Sequence, residues 1–247
     1  MHSEYGSAYR NLFLNHWWWR AREEAIVGVL RERFQARPGA RILDVGCGDG
    51  LFFDRLREFG EAEGVEPAEY LVDPLGPHRS RITIAPFDES FQPGGRYDLI
   101  LMLDVLEHLD APVVALRHAI SLLEPHGLLL ITVPAFNLIW TNHDRINQHR
   151  TRYTKASFRR IAEDAGIQIL LARYLFFWLF PVKLAARAKE SLLRPAPQVP
   201  QVPGRAINRF LFLLSRGEEK LSHVLPLPIG SSLLVMGSIP PQICDLS

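Results

Sequence analysis

Cysteine is almost missing from this 247-residue chain: Cys47 and Cys244 are the only two, and they stand far apart. Neither belongs to a closely spaced, metal-type pair. Free thiols fit a reducing compartment, so a cytoplasmic protein is expected. An excess of charge is missing too. Lys and Arg number 28 against 27 Asp and Glu, a net charge of +1, which gives no support for a nucleic-acid scaffold with its strongly basic face. Long hydrophobic runs are also lacking. The stretch 174–182 is among the longest and falls far short of the roughly 20 apolar residues that a spanning helix needs. Residues 1–10 are polar, with no apolar h-region, so no signal peptide is expected.

What is present is an alternation of apolar strands and amphipathic helices. Residues 11–34 carry Leu14, Trp17, Trp18, Ala21, Ala25 and Val29 at helical spacing. Pro38-Gly39 then breaks the chain. Strands are expected at 41–45, 62–65, 81–85, 97–105, 127–133, 168–172 and 232–239, with helices at 51–59, 111–123, 155–165, 174–193 and 205–224. Pro112 suits a first helical turn. Short apolar strands alternating with helices indicate an α/β fold: a doubly wound, mostly parallel, seven-stranded Rossmann-like sheet with helices on both faces. The expected organisation is a helical cap at 1–37, a Rossmann-like domain at 38–173, a helical lid at 174–230 and a final strand and tail at 231–247. The lid holds a connector with four prolines between Pro195 and Pro203, a semi-rigid composition.

The first strand ends in Leu43-Asp44-Val45-Gly46-Cys47-Gly48-Asp49-Gly50. Strand, glycine turn and helix is the general arrangement for a nucleotide-like ligand, because ligand atoms can approach the bare backbone and the free N–H groups of the helix start. A dinucleotide fingerprint needs G-x-G-x-x-G; Leu51 stands where its third glycine would be. Asp44 suits the ammonium of a methionine moiety and ill suits a pyrophosphate, so the spacing speaks against NAD. Glu66 lies twenty residues beyond Gly46, where a carboxylate can accept both hydroxyls of a ribose. In isolation it would read as a solvent-facing loop carboxylate; coupled to the glycine run, the ribose reading is favoured.

These segments, with Gly64-Val65-Glu66-Pro67, the run 97–112 (YDLILMLDVLEHLDAP) and 124–134 (EPHGLLLITVP), resemble the successive motifs of class I S-adenosylmethionine-dependent methyltransferases. The resemblance is to the branch with the ubiquinone-biosynthesis O-methyltransferases and related bacterial small-molecule enzymes. It covers roughly residues 41–134 and departs at Glu124-Pro125-His126-Gly127, where a Pro-Gly-Gly turn is common. It implies S-adenosylmethionine as cofactor, with Asp44, Gly46, Cys47 and Gly48 at the methionine end and Glu66-Pro67 at the ribose. Phe87 and Asp88 would flank the adenine, and Leu103 and Asp104 would lie beside the sulfonium. The segment His16–Arg22 is similar to an aromatic-Arg helix that caps the cofactor in this branch. Trp18 and Arg22 share one helical face, and Arg22 suits the methionine carboxylate; an exposed arginine beside packed tryptophans is the competing reading.

Methyl transfer asks the protein to align a nucleophile, exclude water and, for a hydroxyl or amine, remove a proton. His108, also expected at the cofactor edge, is the first candidate base, and a loop-holding imidazole is its competing role. His149 is the second. A metal on Asp104, Glu107 and His108 is set aside, since three ligands on one turn are geometrically poor. Trp140, His143, Arg150, Arg152 and Tyr153 belong to a segment resembling the His-Asp…His-x-Arg-Arg-Tyr stretch of one bacterial subgroup, with Thr151 as a departure. They are expected to form a partly cationic acceptor site for an anionic or lipid-like small molecule. The apolar stretch 175–184, with Lys183, Arg187 and Lys189, can be a lid, a peripheral membrane contact or core. The expected function is S-adenosylmethionine-dependent methylation of a small molecule at O, N or C. A repurposed S-adenosylmethionine-binding protein is the alternative, and a nicotinamide oxidoreductase a lesser one. No oligomeric state is legible.

Overall fold

The computed structural model describes residues 3–196, 198–222 and 224–240; Cys244 lies outside them. The chain opens with two helices, α1 (Ser3–Asn15) and α2 (Trp17–Arg33). The single helix expected over 11–34 is therefore broken. At His16 the backbone is extended, with φ −81° and ψ 133°, and its Nδ1 accepts from the Trp18 amide at 3.1 Å. A side chain that caps the next helix cannot continue the previous one.

Strand β1 (Arg41–Val45) leads to the one-turn helix α3 (Phe53–Leu56), β2 (Glu61–Glu66), β3 (Ile82–Ile84) and β4 (Tyr97–Leu103). Then follow α4 (Pro112–Ser121), β5 (Leu123–Pro134), α5 (Asn142–Ile146), α6 (Lys155–Ala165), β6 (Gln168–Leu175), α7 (Leu179–Leu193), α8 (Arg205–Ser222) and β7 (Ser232–Ser238). Their order in the sheet is β3-β2-β1-β4-β5-β7-β6. β7 runs antiparallel between β5 and β6, and the other pairings are parallel. The seven-stranded, doubly wound α/β sheet expected from the sequence is thus present.

Period-two alternation sorts the strand residues to two cores. Ile42, Leu99, Leu101, Leu130, Leu234 and Met236 join α1 and α2 on one face. Leu43, Ile100, Met102, Ile131, Leu233 and Val235 meet Leu116 of α4 and Phe158 of α6 on the other. Because β1 pairs with both β2 and β4, the strand order reverses there. The carboxyl ends of β1 and β4 therefore border a crevice, the place where open α/β sheets bind ligands.

Two other expected helices are shorter. The segment 51–59 keeps one helical turn. The helix expected from 174 begins at Leu179, because Tyr174 and Leu175 pair with Leu233 and Ser232 of β7; Phe176, at φ 60°, then turns the chain. No α7 residue is buried, whereas Leu175 and Phe176 before it join the core, so the core reading holds only for the start of the stretch 175–184. The helix is tied down by polar contacts: Arg187 donates to the carbonyls of Asn137 and Leu138, both at 2.7 Å, and Glu190 accepts from the Asn142 amide at 2.8 Å. Among the described residues, no helix is long and apolar enough to cross a membrane.

Candidate active site

The turn after β1 sets the geometry of the crevice. Gly46, Gly48 and Gly50 have φ of 72°, 53° and 67°, a left-handed path in which an L side chain is strained. The Gly46 amide donates to the Val65 carbonyl at 2.8 Å, which fixes the turn against β2. Glu66, buried at the end of β2, accepts from the Gly48 amide and the Ala68 amide, each at 2.9 Å. A carboxylate has about four lone-pair sites, so acceptor capacity remains. Burial raises its carboxyl above the usual range, and the two amides work against that rise. Asp49 braces the turn from behind, pairing with Arg10 and accepting from the Asp73 amide at 3.0 Å.

Arg22 of α2 reaches over the end of the sheet. Its Nη2 lies 2.8 Å from Asp104 Oδ2 and 3.0 Å from Thr132 Oγ1. Its guanidinium sits 5.5 Å from the centre of the Trp18 ring. The buried Nε has no protein partner, which leaves a donor available to a carboxylate. This removes the reading of Arg22 as an exposed arginine. Asp104 is left-handed at φ 58°. Such a conformation in a non-glycine residue costs about 1 kcal/mol or more, and the Arg22 pair and a 3.0 Å bond from Thr132 hold it in place.

One cleft of about 430 Å³ is lined by Trp18, Arg22, Gly46, Gly48, Glu66, Pro67, Phe87, Leu103, Asp104 and His108, together with His143, His149, Arg150 and Arg152. Two sequence-separated halves, the expected cofactor side and the expected acceptor side, thus share one cavity. Asp44 and Cys47 line a smaller adjoining recess of about 30 Å³ with Arg22. Burial pushes Asp44 up to about 7 against the pull of Arg22, and burial likewise raises the Cys47 thiol.

Three expected site residues do not line either cavity. Asp88 turns its carboxylate to the Ser90 amide at 2.9 Å, closing its own local turn. Trp140 follows the short 3₁₀ turn 137–139 outside the lining. Tyr153 is buried, bridged to Ala135 and donating to the Leu106 carbonyl at 3.2 Å. The cationic mouth is also largely neutralised. Arg152 is fully buried in a two-bond pair with Asp144, at 2.8 Å for Nε and 2.8 Å for Nη2, and Arg150 pairs with Asp110. Sequence reasoning missed Tyr9 and Tyr70, whose approach depends on packing of distant elements; Trp19 and Lys183 also line the cleft, from the expected cap and lid segments without having been singled out as site residues. Burial pushes Lys183 down to about 8.

His108 and His149 stand edge to face, with ring centroids 5.0 Å apart. Burial pushes the His108 imidazole down to about 4, and His149 acts in the same direction; burial takes His143 to about 3. His149 Nδ1 meets Asp144 Oδ1 at 2.9 Å. The segment is stitched to the turn after β4 by the Arg150 amide, 2.7 Å from the Glu107 carbonyl, and by Arg150 Nε, 2.9 Å from the His108 carbonyl.

This fold is that of class I S-adenosylmethionine-dependent methyltransferases. The methyltransferase domain family matches residues 17–172, and the chain belongs to that family. It is 30% identical over 100 residues to the ubiquinone biosynthesis O-methyltransferase of Bradyrhizobium diazoefficiens, covering 38% of this chain and 40% of that one. The chain thus spans about two-fifths of the curated relative's length. A chain in a complex containing the Haloferax volcanii Trm112 methyltransferase activator superposes with a TM-score of 0.60 at 16% identity, covering 96% of this chain and 95% of that one. A SAM-dependent methyltransferase from Archaeoglobus fulgidus gives 0.52 at 18% identity, with 87% and 93% covered.

Asp144 holds this side of the cleft together. Burial alone would raise its carboxyl, yet bonds from His149 and Arg152 and the Arg152 charge hold it well below the usual range. Asp144→Ala leaves the Arg152 guanidinium buried and unpaired. It is expected to lower the free energy of unfolding by about 3–5 kcal/mol in urea titrations. A loss below 1 kcal/mol would show that the pair is not the anchor of this segment.

Proposed function

We propose that the protein transfers a methyl group from S-adenosylmethionine to a hydroxyl of a small-molecule acceptor. The observation that carries this reading is the single cleft shared by the Gly46–Gly48–Glu66 turn and the Glu107, His108, His149 end. Glu66 would take the ribose hydroxyls with its remaining lone pairs, and Pro67 and Phe87 would border the adenosine. The free Nε of Arg22 would bind the methionine carboxylate, and Asp44, across the adjoining recess with Cys47, its ammonium. Leu103 and Asp104 would flank the sulfonium. When bound, the cofactor supplies a methyl already activated by positive sulfur, so the protein's share of the chemistry is alignment and exclusion of water.

His108 and His149, which line the same cleft, would be the groups nearest an acceptor hydroxyl as it loses its proton. The likeness to an enzyme named as an O-methyltransferase supports oxygen as the acceptor atom. Lys183, half-buried at the cleft, and His143 would contact the rest of the acceptor. With Arg150 and Arg152 paired to Asp110 and Asp144, a strongly anionic acceptor has little left to bind to, and a neutral phenol or alcohol fits better. The exposed apolar side chains Val182, Leu184 and Leu192 of α7 give peripheral contact with a lipid-like acceptor a surface on which to occur.

Glu66→Ala is expected to weaken S-adenosylmethionine binding by about 1–3 kcal/mol, the usual loss for a charged acceptor. An unchanged dissociation constant in the folded variant would remove the ribose assignment. For the activity itself, the protein is incubated with a metabolite extract and a donor labelled in its methyl group. The expected result is S-adenosylhomocysteine together with one hydroxylated metabolite heavier by one labelled methylene. Cofactor binding without any methylated product from hydroxylated compounds would contradict the reading.

A further inference from the structure

Glu107 is the anomaly in the cleft. It is 0% exposed, and neither carboxylate oxygen has a hydrogen-bond partner on another residue, its own amide giving the one backbone contact. A buried carboxylate left without an outside donor is among the costliest arrangements in a protein interior, and such groups are ordinarily paired or bound to a cation. The charges of Arg22 and Arg152 relieve it only in part, since neither touches it: Arg22 is engaged by Asp104 and Arg152 by Asp144. Burial holds the Glu107 carboxyl well above its ordinary range, as expected of an acid with no counter-charge in contact.

The donor atoms of Glu107, His108 and His149 all lie within 4.8 Å of one another, and Glu107 Oε1 is 3.9 Å from His149 Nε2. Donors bound to a small divalent cation at about 2.1 Å sit roughly 3–3.5 Å apart, so the set needs only a modest closure. The imidazoles are oriented for the purpose. His149 bonds through Nδ1 to Asp144 at 2.9 Å, so its Nε2 faces Glu107. The His108 ring bonds to the Gln148 backbone, which leaves one nitrogen for a ligand. A carboxylate or carbonyl behind the outer nitrogen is the usual arrangement for metal-binding histidine. The poor geometry of three ligands on one turn, which weighs against Asp104, Glu107 and His108, does not arise for this set. Asp104 is committed to Arg22, and the third donor comes from the segment stitched on by Arg150.

We propose that Glu107, His108 and His149 bind one divalent transition-metal cation at the acceptor end of the cleft. Two imidazoles and one carboxylate suit zinc, manganese or cobalt better than magnesium or calcium, which favour all-oxygen sets. The open positions face the cavity, so the cation would act as a Lewis acid toward an oxygen of the acceptor, easing loss of its proton in place of direct removal by the two imidazoles. Only that last role rests on the methyltransferase reading; the site itself does not.

The test uses the full chain, untagged and stripped with chelator. Co²⁺ is titrated and followed by visible absorption, and Mn²⁺ by loss of the free-ion paramagnetic signal. One equivalent is expected to bind, with affinity falling at least about 10-fold in Glu107→Gln and in His149→Ala. Should Glu107→Gln fail to fold, His108→Gln reads the same site. No binding up to about 1 mM, or one-to-one binding that both variants retain, overturns the proposal. Calorimetry with S-adenosylmethionine on the same samples reads the cofactor end separately. Loss of that binding would count against the proposed function and leave the metal result standing.

Discussion

Everything at the cleft depends on β1 and β4 lying side by side and parallel. Their register sets Val45 against Met102, so both strands stop at nearly the same level. Both chains leave through left-handed residues, Gly46 at φ 72° and Asp104 at φ 58°. Those reversals open the crevice between the strand ends, and Gly46, Gly48 and Asp104 line it. Glycine takes this conformation at no steric cost. Asp104 does not, and the Arg22–Asp104–Thr132 contacts offset the strain. Helix α2 is thereby fastened to the sheet at the same point where its arginine faces the ligand space.

A second constraint acts from the other side. Asp144, buried among His149, Arg152 and the Thr141 amide at 2.8 Å, turns a loop that sequence composition marks as polar into a rigid wall. The wall is then bonded to the turn after β4 through Arg150 and Tyr153. Two independent sets of contacts therefore hold the two ends of the cleft in register. Preorganisation of this kind is what an in-line transfer needs, because a misplaced acceptor loses most of the advantage of being bound.

Much of this is legible in the sequence. Strand positions follow from apolar runs, and Gly46, Gly48 and Glu66 from their spacing, because local chain geometry requires them. Arg22 falls on the face of Trp18 by helical periodicity alone. The break at His16 is not legible, since histidine is a rare cap and the surrounding pattern is continuous. Arg152 and Tyr153 look like acceptor contacts in the sequence, yet their charge and hydroxyl are consumed by Asp144 and Leu106. Periodicity cannot tell a side chain's partner across the fold. In the sequence Glu107 stands only with its neighbours, and its closeness to His149 exists only once the two segments meet. Asp88 shows the same limit at short range: its Oδ1 accepts from the Ser90 amide two residues away, a local turn that spacing does not reveal.

That the crevice between β1 and β4 receives an S-adenosyl group with its ribose on Glu66 is tested most directly by a crystal structure with S-adenosylhomocysteine. Both ribose hydroxyls are expected within about 3 Å of the Glu66 carboxylate, with the amino-acid carboxylate against Arg22 and the sulfur turned toward Asp104 and His108. An adenosyl group bound elsewhere, or one whose ribose makes no contact with Glu66, would contradict it.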